Sequence, residues 1–378
     1  MQTKEIAIIG GGIAGLALAV SLRNTRFKCH IFEKKETFNE IDACITLFPN
    51  ALRVLRHFGL LKDVMDIGSA ISKIIMKTDQ GKILALTEPR YQLSAMSMRR
   101  SELHAILLRH ANATLYPDHE LDSFQNTPDG RVSVSFKNGA FKIFDAMIGA
   151  DGINSLVRQA IVGDGKPVFQ GYSIWCGIAD LGVGAGYTSE SYGKGERVGI
   201  IPIGESQCGW WATKNERFMA DDGPEGTKKK LLRLFGNWHD PIPDLISKTN
   251  HIYKTSLADR VPVRGWSQGN CTLLGDAAHP TTPNLGQGGC LAFEGAHILG
   301  EIIRKYGVTD TVFQRYESLQ FARAKNIVED SRRLGKIGQL ESSIAVYIRN
   351  MILGLTPSSF TLKVIDKYFL YDVTSMRI

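Results

Sequence analysis

The first strong pattern along the chain is an uncharged, largely apolar run over residues 6–22, broken in its middle by Gly10-Gly11-Gly12. Ahead of the glycines, Lys-Glu-Ile-Ala-Ile-Ile (4–9) has the continuous apolar character of a short buried strand. Residues 16–23 behind them predict a helix, and residues 28–33 predict a second strand that ends in Glu33. Further on, alternation predicts strands over 173–178, 197–203 and 208–213, and residues 71–95 add strands to the same sheet. Cys-Thr-Leu-Leu-Gly (271–275) reads as another strand. It runs into a Pro- and Gly-rich loop and then a helix from about Gln287 to Lys305. The last segment, 337–378, carries Ile344, Val346, Tyr347, Met351 and Ile352 at helical spacing, and predicts one or two helices packed across the rest of the molecule.

Composition narrows the class. At roughly 100–200 residues per domain, 378 residues imply two domains or one with a large insert. A chain that is 43% hydrophobic and 22% charged can bury a sizeable core, which excludes a disordered chain and a small disulfide scaffold. The net charge of +7 favours anionic ligands, but the cations are scattered, so no nucleic-acid partner is expected. The one tight run, Lys228-Lys229-Lys230, reads as the solvated start of an amphipathic helix. Six cysteines include no Cys-x-x-Cys pair and no zinc spacing, so no metal is expected and reduced thiols in a cytoplasmic protein are the simplest reading. Residues 6–22 mimic a signal peptide, but three central glycines and Glu5 argue against one, and no other stretch has the length and apolarity to span a bilayer.

The glycines carry the first chemistry. Strand, Gly10-x-Gly12-x-x-Gly15, helix, strand and acid follow one another within residues 4–33. In such a unit the first glycine makes the tight turn, the second admits a pyrophosphate and the third lets helix and strand pack closely. The helix N-terminus offers N–H groups to the phosphates, and Glu33 is placed to accept from ribose hydroxyls while repelling a 2′-phosphate. This segment alone does not distinguish NAD from FAD. In the second motif, Gly275-Asp276-Ala-Ala-His279-Pro280-Thr-Thr-Pro283-Asn284-Leu-Gly286-Gln287-Gly288-Gly289, Asp276 ends a strand where it can bind polyol hydroxyls, and the glycines allow backbone to approach a flat ring.

With this second motif the chain resembles the single-component FAD-dependent aromatic hydroxylases, a family of flavoprotein monooxygenases that includes urate and salicylate hydroxylases, zeaxanthin epoxidase and tetracycline-inactivating oxygenases. Gly149-Ala150-Asp151-Gly152 matches a further family motif near the pyrophosphate, and Arg100 matches an arginine that reaches FAD from the start of a helix. Tyr316-Glu317 and Arg323 fit a weaker closing pattern, so the resemblance spans residues 4 to about 335. Departures are Asp42-Ala43-Cys44-Ile45 where a Gly-Ala-Gly-Ile type is common, Gln320 for an arginine, and Glu294-Gly295 for Glu-Asp. The resemblance implies an α/β fold. A Rossmann-like FAD domain of the GR2 type (1–70, 96–163 and 260–336) is interleaved with a β-sheet substrate domain (71–95 and 164–259), and a C-terminal helix (337–378) braces both or closes the substrate mouth. It further implies a cofactor set of Gly10, Gly12, Ile13, Ala14, Gly15, Glu33, Lys34, Ala43, Arg100, Asp151, Asp276, Pro283, Gly286, Gln287, Gly288 and Gly289.

The implied reaction uses NADH or NADPH, bound transiently without a second Rossmann domain, to reduce the flavin. O2 then adds at C4a, and the hydroperoxide transfers one oxygen to a small aromatic or heteroaromatic substrate. Arg197 and Pro283 are the catalytic candidates; Arg197, Trp210, Trp211, Pro283 and Asn284 are the substrate contacts. Each has a plainer reading. Arg197 suits a carboxylate, enolate or lactam oxygen, or forms a surface salt bridge beside Glu196. Trp210 and Trp211 have opposite phases, so one faces the pocket, or both are core. His279 is an acid–base group or holds its loop by hydrogen bonding, and the latter is preferred; the other histidines, His57, His104 and His297 among them, read as ordinary. Alternatives are an oxygenase for a polycyclic antibiotic, an isoprenoid epoxidase, or a non-catalytic FAD-binding redox partner; the Trp-x-Trp-x-Ile motif of halogenases is not found. A monomer or weak homodimer is expected.

Overall fold

The continuous apolar strands form the middle of a parallel sheet, which needs strands buried on both faces. In the computed structural model, which describes residues 3–38 and 43–378, a six-stranded sheet runs in the order β17 (Ser267–Gln268), β18 (Cys271–Leu273), β11 (Ala146–Gly149), β1 (Lys4–Ile9), β2 (Phe27–Phe32), β7 (Ala113–Tyr116). Pairing is parallel from β18 to β7 and antiparallel between β17 and β18. Ile6, Ala7 and Ile8 of β1 are wholly buried. Helix α1 (Ile13–Leu22) follows the glycine turn and is apolar all round, because α8 (Gly288–Tyr306) packs along its outer side so closely that a Cβ on Gly300 would strike Ser21. Asp42, one of the departures noted in the sequence, lies outside the described residues.

A nine-stranded mixed sheet has the order β16 (Thr249–Asp259), β12 (Val168–Ala179), β15 (Gln207–Asn215), β14 (Glu196–Ile203), β13 (Gly186–Tyr192), β4 (Ser69–Thr78), β6 (Ala95–Arg99), β3 (Cys44–Leu47), with β5 (Ile83–Thr87) on β4. The three strands expected between 173 and 213 are present and longer than their apolar alternation suggested. Strands β3 and β6 come from segments the sequence reading gave to the FAD part. A small sheet of β8 (Leu121–Asn126), β9 (Val132–Phe136) and β10 (Phe141–Phe144) lies against the first sheet, with Phe136 and Phe144 packed on Phe32.

The large sheet has two unlike faces. Trp175, Val198, Ile200, Trp210 and Ala212 form a core with α6 (Thr227–Phe235) and α7 (Ile242–Ser247). Cross-strand partners share a face, so Cys176, Gly199 and Trp211, in register with one another, lie on the opposite side with Arg197 and Thr213. The lysine run at the start of α6 is not wholly solvated. Lys230 is buried and pairs with Glu216 and Asp222, which also hold Lys254. These cations keep the Asp222 carboxyl low, at about 2, against the opposing effect of its burial.

Helices α2 (Pro49–His57), α3 (Leu61–Ile67), α4 (Arg100–His110) and α5 (Leu156–Ile161) surround the first sheet. The chain closes with the long α9 (Asp310–Gly338), then α10 (Ser343–Leu355) and α11 (Ser358–Phe369). The two terminal helices exist as expected, but Ile344, Tyr347, Met351 and Ile352 are exposed rather than packed. The polar side of α10 does the docking. Arg349 is buried, donates to Gly338 O and Gly193 O at 3.1 Å each, and sits 5.0 Å over the Tyr192 ring.

Candidate cofactor and substrate site

The glycine turn is forced by contact as much as by conformation. Gly10 has φ +110°, and a Cβ there would collide with Ala150 O; a Cβ on Gly15 would collide with Gly10 O. Helix α1 begins at N-cap Gly12 with no side-chain cap, so its first N–H groups face outward beside the turn. Ile13 is buried and Ala14 half-buried at this end, and a Cβ on Gly275 would lie 2.6 Å from the Ala14 methyl, so the second motif touches the first. Glu33 directly follows β2 beside them. Its carboxylate accepts from Gly11 N at 2.9 Å and Lys35 N at 3.1 Å, while Lys34 is exposed.

The remaining candidates arrive from both sheets. Asp276 stands exposed in a 3-10 turn (Gly275–Ala277) at the end of β18. Ala43 O accepts from Arg100 N at 2.8 Å, which ties the segment before β3 to the start of α4. Asp151 accepts from Ser155 Oγ at 2.5 Å and from Leu156 N at 2.8 Å, and so caps α5; burial raises its carboxyl above the usual value despite these bonds. A second 3-10 turn (Pro283–Leu285) ends at Gly286 with φ +63°, where a Cβ would lie 2.7 Å from the Phe48 ring. Pro283 is exposed. Gln287 is the buried N-cap of α8, without a side-chain capping bond, and Gly288 and Gly289 are half-buried behind it. Two helix starts without side-chain caps and two carboxylates, Glu33 and Asp276, lie around the glycine turns, a cradle of donors and acceptors that fits a flavin adenine dinucleotide.

Several residues that hold this cradle are given no such role by the sequence. His104 Nε2 reaches Gly11 O at 2.7 Å, from one turn after Arg100 on the same face of α4; that i, i+4 spacing was the available signal. Arg158 is buried, donates to Ala277 O at 3.0 Å and Ala278 O at 2.6 Å, and is held by Asp164, so one motif clamps the other. Asn50 donates to Gln287 Oε1 at 2.9 Å and Glu294 Oε1 at 2.6 Å, and Arg323 closes the network on Glu294 at 3.0 Å.

Arg197 is no surface salt bridge with Glu196, which pairs with Lys214 instead. It is 4% exposed and reaches three elements: Glu190 Oε1 of β13 at 3.0 Å, Asn284 Oδ1 of the flavin-motif loop at 2.8 Å, and Gln339 Oε1 just past α9 at 2.8 Å. A guanidinium has five donors, and these three bonds are the ones it makes among the described residues. Asn284 Nδ2 in turn lies 2.9 Å from Tyr172 Oη, 2.8 Å from Thr282 Oγ1 and 3.0 Å from Ser331 O, acceptors that its two N–H groups share, which pins the loop. Trp211 lies half-buried on this side, with its ring against Gly199 and 5.5 Å from the Arg197 guanidinium. Trp210 is corrected out of the substrate set. It is 1% exposed in the opposite core and donates to Thr249 Oγ1 at 2.7 Å.

His279 does not hold its loop by hydrogen bonding. Neither ring nitrogen has a partner among the described residues, and the imidazole packs on Trp266 at 5.6 Å. Burial pushes it down to about 4, so it is neutral at pH 7. His57, His297 and Glu301 do come together, with ligand atoms within 4.8 Å, but the Arg304 guanidinium already sits on Glu301. That group is also three turns along α8 from the loop, on the order of 15 Å away at 1.5 Å per residue.

A sequence model described as an FAD binding domain matches residues 3–331. The chain belongs to this family of FAD-binding monooxygenases. It is 35% identical over 364 residues to the aurachin C monooxygenase/isomerase of Stigmatella aurantiaca, covering 93% of this chain and 94% of that protein. It is 28% identical to the 3-amino-4-hydroxybenzoate 2-monooxygenase of Streptomyces cremeus, over 88% of this chain and 87% of that one. The fold matches Klebsiella pneumoniae HpxO, solved with FAD and uric acid, with a TM-score of 0.87 at 23% identity over 97% of each chain. The protein is thus a flavoenzyme and an oxidoreductase, and no helix among the described residues is long and apolar enough to cross a membrane.

Proposed function

We propose that this enzyme uses NADH or NADPH and O2 to insert one oxygen atom into a small, flat aromatic or heteroaromatic substrate that carries an anionic or strongly accepting oxygen. The observation that carries the reading is the buried Arg197, set between Trp211, Tyr172 and the loop of Asn284. Gly10, Gly12, Gly15, Glu33, Arg100, Asp151 and Asp276 would hold the FAD, and Pro283 to Gly289 would lie along its ring. When bound, FAD supplies the chemistry: it accepts a hydride from the nicotinamide and activates O2.

The chain's own residues supply position and charge. Arg197 spends three donors on protein and has two left in its inventory for a ligand oxygen; its partners hold the guanidinium plane in one orientation. The Trp211 indole offers an apolar wall for the substrate ring. The backbone N–H groups at the start of α8 face the loop and stabilise negative charge next to it. His279, neutral and buried, contributes packing and no proton.

Anaerobic stopped-flow reduction by NADH and by NADPH, with phenolic acids, hydroxylated pyridines and purines, and a polycyclic and an isoprenoid control, tests the reading. At least one small aromatic should speed reduction tenfold or more, about 1.4 kcal/mol at 25 °C, and yield an oxygenated product in air. Acceleration by the controls alone overturns the small-aromatic reading, and reduction insensitive to every compound overturns a substrate-gated monooxygenase.

A further inference from the structure

Helix α10 is amphipathic in the wrong direction for a brace. Ile344, Tyr347, Ile348, Met351, Ile352 and Leu355 recur at the i, i+3, i+4, i+7, i+8 and i+11 positions of a single face. That face points outward: Ile344 is 73% exposed and Leu355 75%. The sole charge on the helix, Arg349, is turned inward and buried. The stripe has neighbours of the same kind. Leu334 and Ile337 are exposed near the end of α9, as are Phe360 and Val364, one turn apart on α11. An apolar surface of this extent is unusual for a protein that stays in water.

The rim of the stripe is basic. Lys194 bonds Ser343 at the start of α10, Lys336 is exposed two residues before the end of α9, and Lys363 is exposed beside Val364. Over residues 334–364 the exposed acid is Glu341 alone. Cations at the start of an apolar helix and on the flanking α9 and α11 match an interfacial helix, whose apolar side sinks about 5–10 Å into the headgroup boundary while lysines meet anionic lipids. A second copy suits the surface less well. Pairing of two such faces would bring the basic rim of one molecule, Lys194, Lys336 and Lys363, against the same rim of the other.

We propose that the outer face of α10, with the exposed ends of α9 and α11, docks this enzyme on an anionic bilayer surface. No helix among the described residues is long and apolar enough to cross the bilayer; α10 lies on it. Because Arg349 fixes α10 to Tyr192 and Gly193, at the end of the strand that carries Glu190, docking places the Arg197 side of the large sheet near the lipid. A substrate with an apolar appendage would then arrive from the membrane rather than from water.

Co-sedimentation of the full FAD-loaded chain with vesicles tests the proposal independently of catalysis. Vesicles of phosphatidylcholine alone are compared with vesicles containing about one third phosphatidylglycerol. The chain should pellet with the anionic vesicles, and high salt should weaken that binding. The double variant Ile348→Glu with Ile352→Glu should bind at least tenfold less while keeping its flavin and its circular dichroism. If that variant does not fold, Lys336→Glu with Lys363→Glu should lose binding to the anionic vesicles specifically. A chain that stays in the supernatant with both vesicles overturns the proposal, and so does a folded variant that binds as the parent does. A dimer that the double variant splits, with no vesicle binding, assigns the face to a second copy instead.

Discussion

At the scale of single residues, Arg197 and His279 carry consequences of opposite kinds. Replacing Arg197 by Gln leaves Glu190 half-buried without its cation and Asn284 without a charged donor. Hydrogen bonds to charged groups contribute about 1.5–3 kcal/mol each. The variant should therefore lose roughly 100-fold in kcat/KM for the best aromatic substrate and also melt at a lower temperature. Arg197→Lys keeps the charge but not the planar fork, and should recover stability more than kcat/KM. Steady-state kinetics beside thermal melts separate the two. His279 acts through pH. Its folded value, about 4, is below the 6.5 of an ordinary histidine, so its contribution is complete above pH 6.5 and is lost as the pH falls towards 4. The loss amounts to about 3 kcal/mol over that window at 1.36 kcal/mol per pH unit. His297, also held at about 4 by burial and by neighbouring His57 and Arg304, adds to the same slope. A His279→Gln variant should melt with a shallower dependence between pH 6.5 and 4 than the parent; an unchanged slope would remove His279 as its source.

At the scale of elements, the glycines separate cofactor from substrate. Gly15→Ala pushes a methyl into Gly10 O and should give protein that purifies without flavin absorbance. Gly199→Ala, on the large sheet, pushes a methyl into the Trp211 ring instead. Overpacking of this kind costs typically about 1–3 kcal/mol, so that variant should keep its FAD and show a raised KM. Flavin content and KM measured on both variants check the division. This contrast also marks what was legible in the sequence. The turn at Gly10, the helix behind it and the strand ending in Glu33 could be read because each depends on near neighbours in the chain. The partners of Arg197 could not, since Glu190, Asn284 and Gln339 are brought to it by three different elements. The phase of Trp210 and Trp211 was evident, but which side held the core depended on α6 and α7 covering one face. Lys230 was misread for the same reason: its acids, Glu216 and Asp222, reach it from the loop before α6. A stripe on α10 was visible in the sequence as well, yet periodicity states that a face is apolar and not which side the rest of the protein occupies.

At the scale of the whole molecule, α10 hangs on few bonds. Arg349→Ala removes two bonds to buried carbonyls and the stacking on Tyr192, at about 1 ± 0.5 kcal/mol per bond. Limited proteolysis should then cut between α9 and α10 while the flavin stays bound, since the cradle at Gly10, Glu33 and Asp276 does not involve that region.

The three-way tie on Arg197 also sets an order in time. Its acceptors lie 7, 87 and 142 residues away along the chain. During synthesis the nucleotide fold has its first turn and strands within the opening residues, whereas Arg197 must wait for Gln339 to leave the ribosome. At about 5–20 residues per second, that leaves a nascent chain for roughly 7–28 seconds with a guanidinium that has met Glu190 and not yet its most distant partner. The Arg197 face is therefore finished well after the first nucleotide-binding turn, and a ribosome stalled shortly before residue 339 would display a chain with its glycine turn made and Arg197, the arginine proposed for the substrate, still unlatched.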